Sequence, residues 1–273
     1  MSNQTPSTRP FVIIPTYNEA QNIEGVTKRI FAAVPNANIL VIDDSSPDGT
    51  AQIVRELMKD NSSLDIRVRS GKQGLGSAYR FGFREAISSG ATALIEMDAD
   101  LSHEPESLPA LLSAADGGAD LVIGSRYIAG GRSPGLSPSR LALSRGGNIY
   151  ANIALGIGVR DATSGFRVYR PDLIEKINLD TVSADGYGFQ IEMVFRSRLL
   201  GATISEVAIV FHQRTQGVSK MSNDIVKEAM TLCTVWGVQR RVRQLKGLRG
   251  DFVPYHKDQS SIKDAIIGAI RPN

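Results

Sequence analysis

A single cysteine, Cys233, in a chain of 273 residues excludes an internal disulfide and any metal site built from cysteines, and fits a reducing, cytoplasmic compartment. Long apolar runs are missing too. The longest candidate, Asn148 to Val159, is shorter than the ~20 residues a spanning helix needs and is interrupted by glycine. The opening MSNQTPSTRP is polar, without an apolar signal core, so residues 1–9 read as a disordered tail and the chain is expected to carry no transmembrane helix. No internal repeat is visible. Charge of one sign is scarce: 31 Lys and Arg against 28 Asp and Glu leave a net charge of only +3, which argues for no nucleic-acid partner. With 42% apolar and 22% charged residues, the length suits one large globular domain and a small appendage.

What is present alternates. Apolar runs at 11–14, 39–42, 64–69, 91–97 and 119–125 are separated by stretches of helical spacing at about 20–33, 50–59, 77–90 and 105–118. Strands alternating with helices predict an α/β fold with a mainly parallel, Rossmann-like central sheet and helices on both faces. Ligands of such sheets sit beyond the carboxyl ends of the strands. Residues 129–147 are rich in Gly, Ser, Pro and Arg and read as a long connection rather than a strand or helix. Regular structure is then expected as a strand at 164–169, a helix at 188–201, a strand at 203–211 and a helix at 224–245. The segment 260–270, with Ile262, Ile266 and Ile270 at helical spacing, reads as a short amphipathic helix.

Three strand ends carry polar chemistry. VIIPTYNEAQNI reads most simply as a helix start with Asn18 as N-cap and Gln21 completing a capping box; Pro15 and Tyr17 add a rigid turn and an aromatic face. In VIDDSSPDGT, a turn capped by Asp48 or Thr50 accounts for the sequence after Asp44 but not for Asp43 and Asp44 together. Adjacent strand residues point to opposite faces, so one enters the crevice and the other is held by structure. In MDADLSH, Asp98 and Asp100 stand two apart, so that in extended backbone both carboxylates lie on one side. A hard divalent ion, Mg2+ or Mn2+, relieves their repulsion with help from water and substrate phosphate.

The glycines of GKQGLGSAY do not match the dinucleotide fingerprint, which belongs after the first strand, and are read as a tight turn; Lys72 suits a phosphate or solvent equally. Arg126, Arg132, Arg140 and Arg145 fall in one stretch almost free of acidic residues, where guanidinium forks suit capture of a second phosphate. Arg214 and Lys220 follow the last strand.

Nine ordered blocks, IIPTYNE, VIDDSSPDGT, GLGSAYRFGF, MDADLSHEPE, IGSRY, SRGGN, DATSGFRVY, GYGFQIEM and QRTQGVSK, resemble the polyprenyl (dolichyl) phosphate mannose synthases, inverting glycosyltransferases of the GT-A fold. The resemblance covers about residues 10–222, leaving 223–273 as a C-terminal helical extension. It implies transfer of mannose from GDP-mannose to a polyprenyl phosphate with Mg2+ or Mn2+. Pro15, Tyr17, Glu19, Ile42 and Asp44 would hold the guanosine part. Asp98, Ala99 and Asp100 would line the diphosphate and metal, with Asp100 the direct ligand; Ser102 stands where some relatives carry a Gln metal contact. Arg126 and Arg140 would bind the acceptor phosphate, and Arg214 and Lys220 the donor diphosphate, the catalytic work resting on Asp100, Arg126 and Arg214.

A phosphate monoester with a second pKa near ~6 is already dianionic at neutral pH, so the implied reaction needs cations rather than a protein base. Gln190 stands where related polymerising transferases carry an acidic base, in keeping with that; Glu192 reads as a helix-surface residue. In the extension, Ile225, Met230, Val235 and Trp236 followed by Arg240, Arg241, Arg243, Lys246 and Arg249 suit either an interfacial helix drawn to anionic lipid or a packed helix with a solvated tail. Peripheral attachment to the cytoplasmic face of a membrane, or a separate membrane-spanning partner, is expected. The alternatives are a polyprenyl phosphate glucosyltransferase using UDP-glucose, a transferase with a hydroxyl acceptor, and an inactive nucleotide-sugar-binding subunit.

Overall fold

The computed structural model describes residues 9–182, 184–213 and 223–246. Its strands are β1 (Pro10–Thr16), β2 (Asn38–Asp43), β3 (Leu64–Val68), β4 (Ala93–Glu96), β5 (Leu121–Ser125), β6 (Arg167–Tyr169) and β7 (Ile204–Ala208). They form one sheet in the order β3-β2-β1-β4-β6-β5-β7. Every pair is parallel except those of β6, which runs antiparallel to both β4 and β5. The chain order reverses between β1 and β4, and a crevice opens there beyond the strand ends.

The helices are α1 (Ile23–Ala33), α2 (Thr50–Met58), α3 (Leu75–Ser88), α4 (Leu108–Asp116), α5 (Pro138–Leu155), α6 (Pro171–Ile177), α7 (Gly186–Leu199) and α8 (Asn223–Leu245). They cover both faces because the strands are apolar on both. In β1, Phe11 and Ile13 join one core with residues of α3, α5, α7 and α8, whereas Val12 and Ile14 join a second core with α1, α2 and α4.

Two local expectations are overturned. Asn18 is not an N-cap: it sits in the left-handed region at φ 62°, and α1 starts only at Ile23. The N–H groups a capping box would have satisfied are taken by the neighbouring loop instead. Asn18 donates to Ser46 Oγ, Glu19 to Thr50 Oγ1 and Ala20 to Asp48 Oδ2, each at 3.0 Å. Nor is 129–147 a connection throughout, since α5 begins at Pro138. Ser137 Oγ accepts from the Arg140 N–H, proline occupies the first turn, and left-handed Gly156 ends the helix, so ordinary start and stop signals outweighed the Gly, Ser and Arg content.

Helix α5 is held by α8, and the contact is close. A Cβ on Gly237 would come within 2.6 Å of the Ala154 carbonyl oxygen. Gly237→Ala should therefore pry the two helices apart and lower stability by roughly 1–3 kcal/mol, read by urea unfolding. Val235 and Trp236 are buried in this packing, with Trp236 stacked 6.2 Å from Phe195, so they do not belong to an outward apolar face as the interfacial reading of α8 supposed. Ile225's side chain, Arg249 and the amphipathic segment 260–270 lie outside the described residues, as do residues 1–8 of the expected tail. Among the described residues no helix is long and apolar enough to cross a membrane.

Candidate active site

A cavity of about 690 Å³ opens where β1, β2, β4 and β5 end, and the predicted residues gather in its wall. From the ends of β1 and β2 come Pro15, Tyr17, Glu19 and Asp44; from the loop after β4 come Asp98, Ala99, Asp100 and Ser102; from beyond β5 come Arg126 and Arg140. By strand order the acidic loop lies between the other two groups. Lys72 joins the first group, its ammonium 5.0 Å from the Tyr17 ring. Ile42 is the exception: its side chain is wholly buried in the core beside Gly82, so it offers a ligand backbone at most. Arg132 and Arg145 do not line the cavity, Arg145 lying 5.6 Å from the Tyr127 ring. Arg214 and Lys220 lie outside the described residues, although Gln213, immediately before Arg214, is in the wall.

The two carboxylates after β2 divide as the pleat requires. Asp43 is fully buried and accepts from Thr16 Oγ1 at 2.8 Å and from the Ser46 N–H at 2.9 Å, locking the loop. Asp44 reaches the cavity, held by Arg69 at 2.5 Å and by the Gln73 N–H at 3.0 Å. Arg69 was not legible from its surroundings. The glycine turn has a similar hidden partner: the Asp185 carboxylate accepts the Gly76 N–H at 2.9 Å and leaves no room for a Cβ on Gly74, where 2.5 Å would separate them.

In the acidic loop, left-handed Leu101 (φ 60°) turns the chain so that Asp100 Oδ1 accepts the Ser102 N–H at 3.0 Å. The Ser102 hydroxyl is buried at the cavity with no hydrogen-bond partner among the described residues. His103 stacks 5.1 Å from Phe166, its Nδ1 3.8 Å from Asp98 Oδ2. Among the described residues no group of three or more His, Cys, Asp or Glu side chains could cage a metal. Two carboxylates and an unpaired hydroxyl instead suit a hard cation that completes its shell with water and substrate phosphate.

Arg126 is built in more firmly than a loop arginine would be. Asp161, wholly buried, accepts from its Nε and Nη2 at 2.7 Å and from its backbone N–H at 2.9 Å; Thr163 Oγ1 takes a further bond from Nη2 at 2.8 Å. Burial alone would lower the guanidinium pKa, but the hydrogen bonds and charge of Asp161 outweigh it and hold the group above its ordinary value, permanently cationic. Nη1 makes no hydrogen bond among the described residues and remains for a ligand. Arg140, in the first turn of α5, is exposed and has no ion pair among the described residues.

Glu96, at the last position of β4, is fully buried opposite Arg167. Arg167 spends its donors on the carbonyls of Ser164, Ala162 and Gln190 and on the Tyr169 hydroxyl. Burial therefore dominates, against the pull of Arg167, Gln190 and Tyr169, and pushes the Glu96 carboxyl up to about 7 from 4.5. A raised acid binds its proton more tightly in the folded state. The contribution to stability is full below about pH 4.5 and is lost as pH rises toward 7, by about 3 kcal/mol. Glu96→Gln should remove that slope, so that in urea unfolding the variant gains on the natural chain by about this amount between pH 4.5 and 7.5. Glu192, expected on the helix surface, is instead buried and paired with Arg196 at 2.7 Å.

Comparison with known proteins finds relatives over most of the chain. The chain is 44% identical over 244 residues to the polyprenol monophosphomannose synthase of Mycolicibacterium smegmatis, covering 89% of this chain and 92% of that one. It is 44% identical over 242 residues to the undecaprenyl-phosphate mannosyltransferase of Micrococcus luteus, covering 89% and 99%. Among solved structures, the mannosyltransferase of Pyrobaculum calidifontis in complex with GDP-Man and Mn2+ superposes with a TM-score of 0.56 at 18% identity, over 96% of this chain and 72% of that one. Glucosyl-3-phosphoglycerate synthase of Mycobacterium tuberculosis superposes with a TM-score of 0.59 at 20% identity, over 86% and 80%. These two likenesses bear on the fold, which is of GT-A type. Residues 11–178, which carry β1 to β6 and most of the cavity wall, match the family model of glycosyl transferase family 2, and the chain belongs to that family.

Proposed function

We propose that the protein transfers mannose from GDP-mannose to a polyprenyl phosphate, with inversion at the anomeric carbon and with Mg2+ or Mn2+ as cofactor. The observation that carries this reading is that one cavity is lined both by the acidic pair and by Arg126 and Arg140. Its donor side has carboxylates and its far side has guanidinium groups, as two anionic substrates meeting at one carbon require. The names of the two relatives at 44% identity support the acceptor and the sugar.

Asp98, Asp100 and Ser102 would hold the metal, which when bound offsets the charge gathering on the departing diphosphate. Arg126, fixed by Asp161, would orient the acceptor phosphate opposite the leaving group, and Arg140 would close over it from α5. The acceptor brings its own negative charge, so no side chain has to remove a proton. Asp44 and Glu19 would hold the nucleoside end.

The lipid side is supported by the α5–α8 surface. Ile149 (61% exposed) and Ile153 (69%) stand outward on α5, and Leu143 and Met230 carry the apolar surface to the cavity mouth, which they also line. Arg145, Arg241 and Arg243 lie on the same two helices, and Lys246 directly follows the second. An apolar patch with basic residues suits peripheral contact with an anionic bilayer on the cytoplasmic face. Replacing Ile149 and Ile153 together by Glu should abolish cosedimentation with phosphatidylglycerol vesicles while transfer to a short, detergent-dispersed polyprenyl phosphate persists.

The deciding experiment is transfer of labelled sugar into an organic-extractable product, with GDP-mannose or UDP-glucose as donor and with or without a chelator. Label should enter the organic phase from GDP-mannose only, and chelator should stop it. Equal or better use of UDP-glucose would replace the donor assignment.

A further inference from the structure

Helix α7 places Gln190 in the floor of the cavity, 3% exposed, and neither atom of its carboxamide makes a hydrogen bond of good geometry among the described residues. A buried amide in this state forfeits about as much as a hydrogen bond is worth, so it calls for a partner the protein does not supply. Two further groups share the predicament beneath it: the Tyr79 hydroxyl and both oxygens of Glu96. Glu96 lies within hydrogen-bonding reach of Gln190 and Tyr169, whose pull opposes the rise of its pKa. The floor is thus a buried polar patch with Gln190 as its member in the cavity wall.

The patch lies beside the acidic loop and near the residues that hold Arg126. A Cβ built on Gly165 would meet Gln190 Nε2 at 3.7 Å and the Asp98 carboxylate oxygens at 3.7 and 3.9 Å, so amide and acidic loop flank the same residue. Two residues earlier, Thr163 Oγ1 bonds the Arg126 guanidinium. Two residues span at most about 7 Å. Gln190 therefore sits where a group joined to a diphosphate at Asp98 and facing a phosphate at Arg126 would lie, and on the reading proposed above that group is the transferred sugar.

We propose that Gln190 is the residue that reads the transferred hexose, its carboxamide exchanging hydrogen bonds with sugar hydroxyls while Glu96 holds its orientation from behind. An amide can donate and accept at once, which suits a hydroxyl, and a neutral side chain adds no charge beside Asp98. An acid at the same place would repel both the acidic loop and the acceptor.

The test compares GDP-mannose with GDP in the full chain carrying Gln190→Leu and, separately, Gln190→Glu. Leucine removes the carboxamide at similar volume, so its melting temperature should stay within a few degrees of that of the natural chain. Its affinity for GDP should be unchanged, its affinity for GDP-mannose should fall about tenfold, and kcat/KM for transfer should fall at least as much. Gln190→Glu should lose transfer as well. Affinities for GDP and GDP-mannose that fall together, or transfer within twofold of the natural chain, would overturn the proposal, as would a lowered melting temperature with an intact preference for the sugar nucleotide. The preference of the natural chain for GDP-mannose over GDP tests the reading of the site itself, independently of either variant.

Discussion

Asp100→Asn should lower sugar transfer by about 100-fold or more and leave the melting temperature unchanged. The separation follows from the local geometry. Asp100 Oδ1 serves the fold by accepting the Ser102 N–H, and asparagine supplies the same oxygen in the same place. What asparagine cannot supply is the negative charge that would hold a divalent ion against the diphosphate. The loss should appear in kcat more than in the KM for the acceptor, and raising Mn2+ or Mg2+ should not restore it. Activity above half that of the natural chain, or an unaltered response to chelator, would remove Asp100 from the proposed role.

Arg126→Met has two effects of comparable size. Asp161 is wholly buried and takes three hydrogen bonds from Arg126, one of them from its backbone; without the guanidinium it becomes an unpaired buried carboxylate. Breaking a buried pair in this way costs about 3–5 kcal/mol, measurable in urea unfolding. Transfer should also disappear, which by itself would say little about the acceptor. Adding Asp161→Asn removes the stranded charge, so the double variant should regain most of its stability and none of its activity. Arg140→Ala completes the comparison. Arg140 is exposed and free of ion pairs among the described residues, so its loss should raise the KM for polyprenyl phosphate about tenfold at constant stability. Recovery of transfer in the Arg126/Asp161 double variant would mean that Arg126 only supports the wall.

Elements with strong periodicity were readable from sequence to within a few residues: β1, β2, β5 and α2 lie where alternation and turn residues put them. Boundaries failed where hydrogen bonds came from a distant loop, as around Asn18, or where composition masked ordinary capping, as at Pro138. The site was legible for the same reason the fold was. Asp44, Asp98 and Asp100 follow strand ends, and strand ends in a parallel sheet converge. Their partners were not legible. Arg69, Asp161 and Asp185 stand 25 to 109 residues from the groups they hold, and nothing in their local sequence marks the pairing.

Sequence alone was sufficient for the class of fold, the end of the sheet where chemistry gathers, and the family resemblance, because strand periodicity, turn residues and short motifs are local properties. Only the tertiary structure decided that Val235 and Trp236 are core while Ile149 and Ile153 face outward, that Arg126 is clamped rather than free, and that Gln190 is buried in the cavity floor above Glu96. The reason is physical: a residue's burial and its hydrogen-bond partners depend on which elements pack beside it, and that is fixed by long-range contacts that no window of sequence contains.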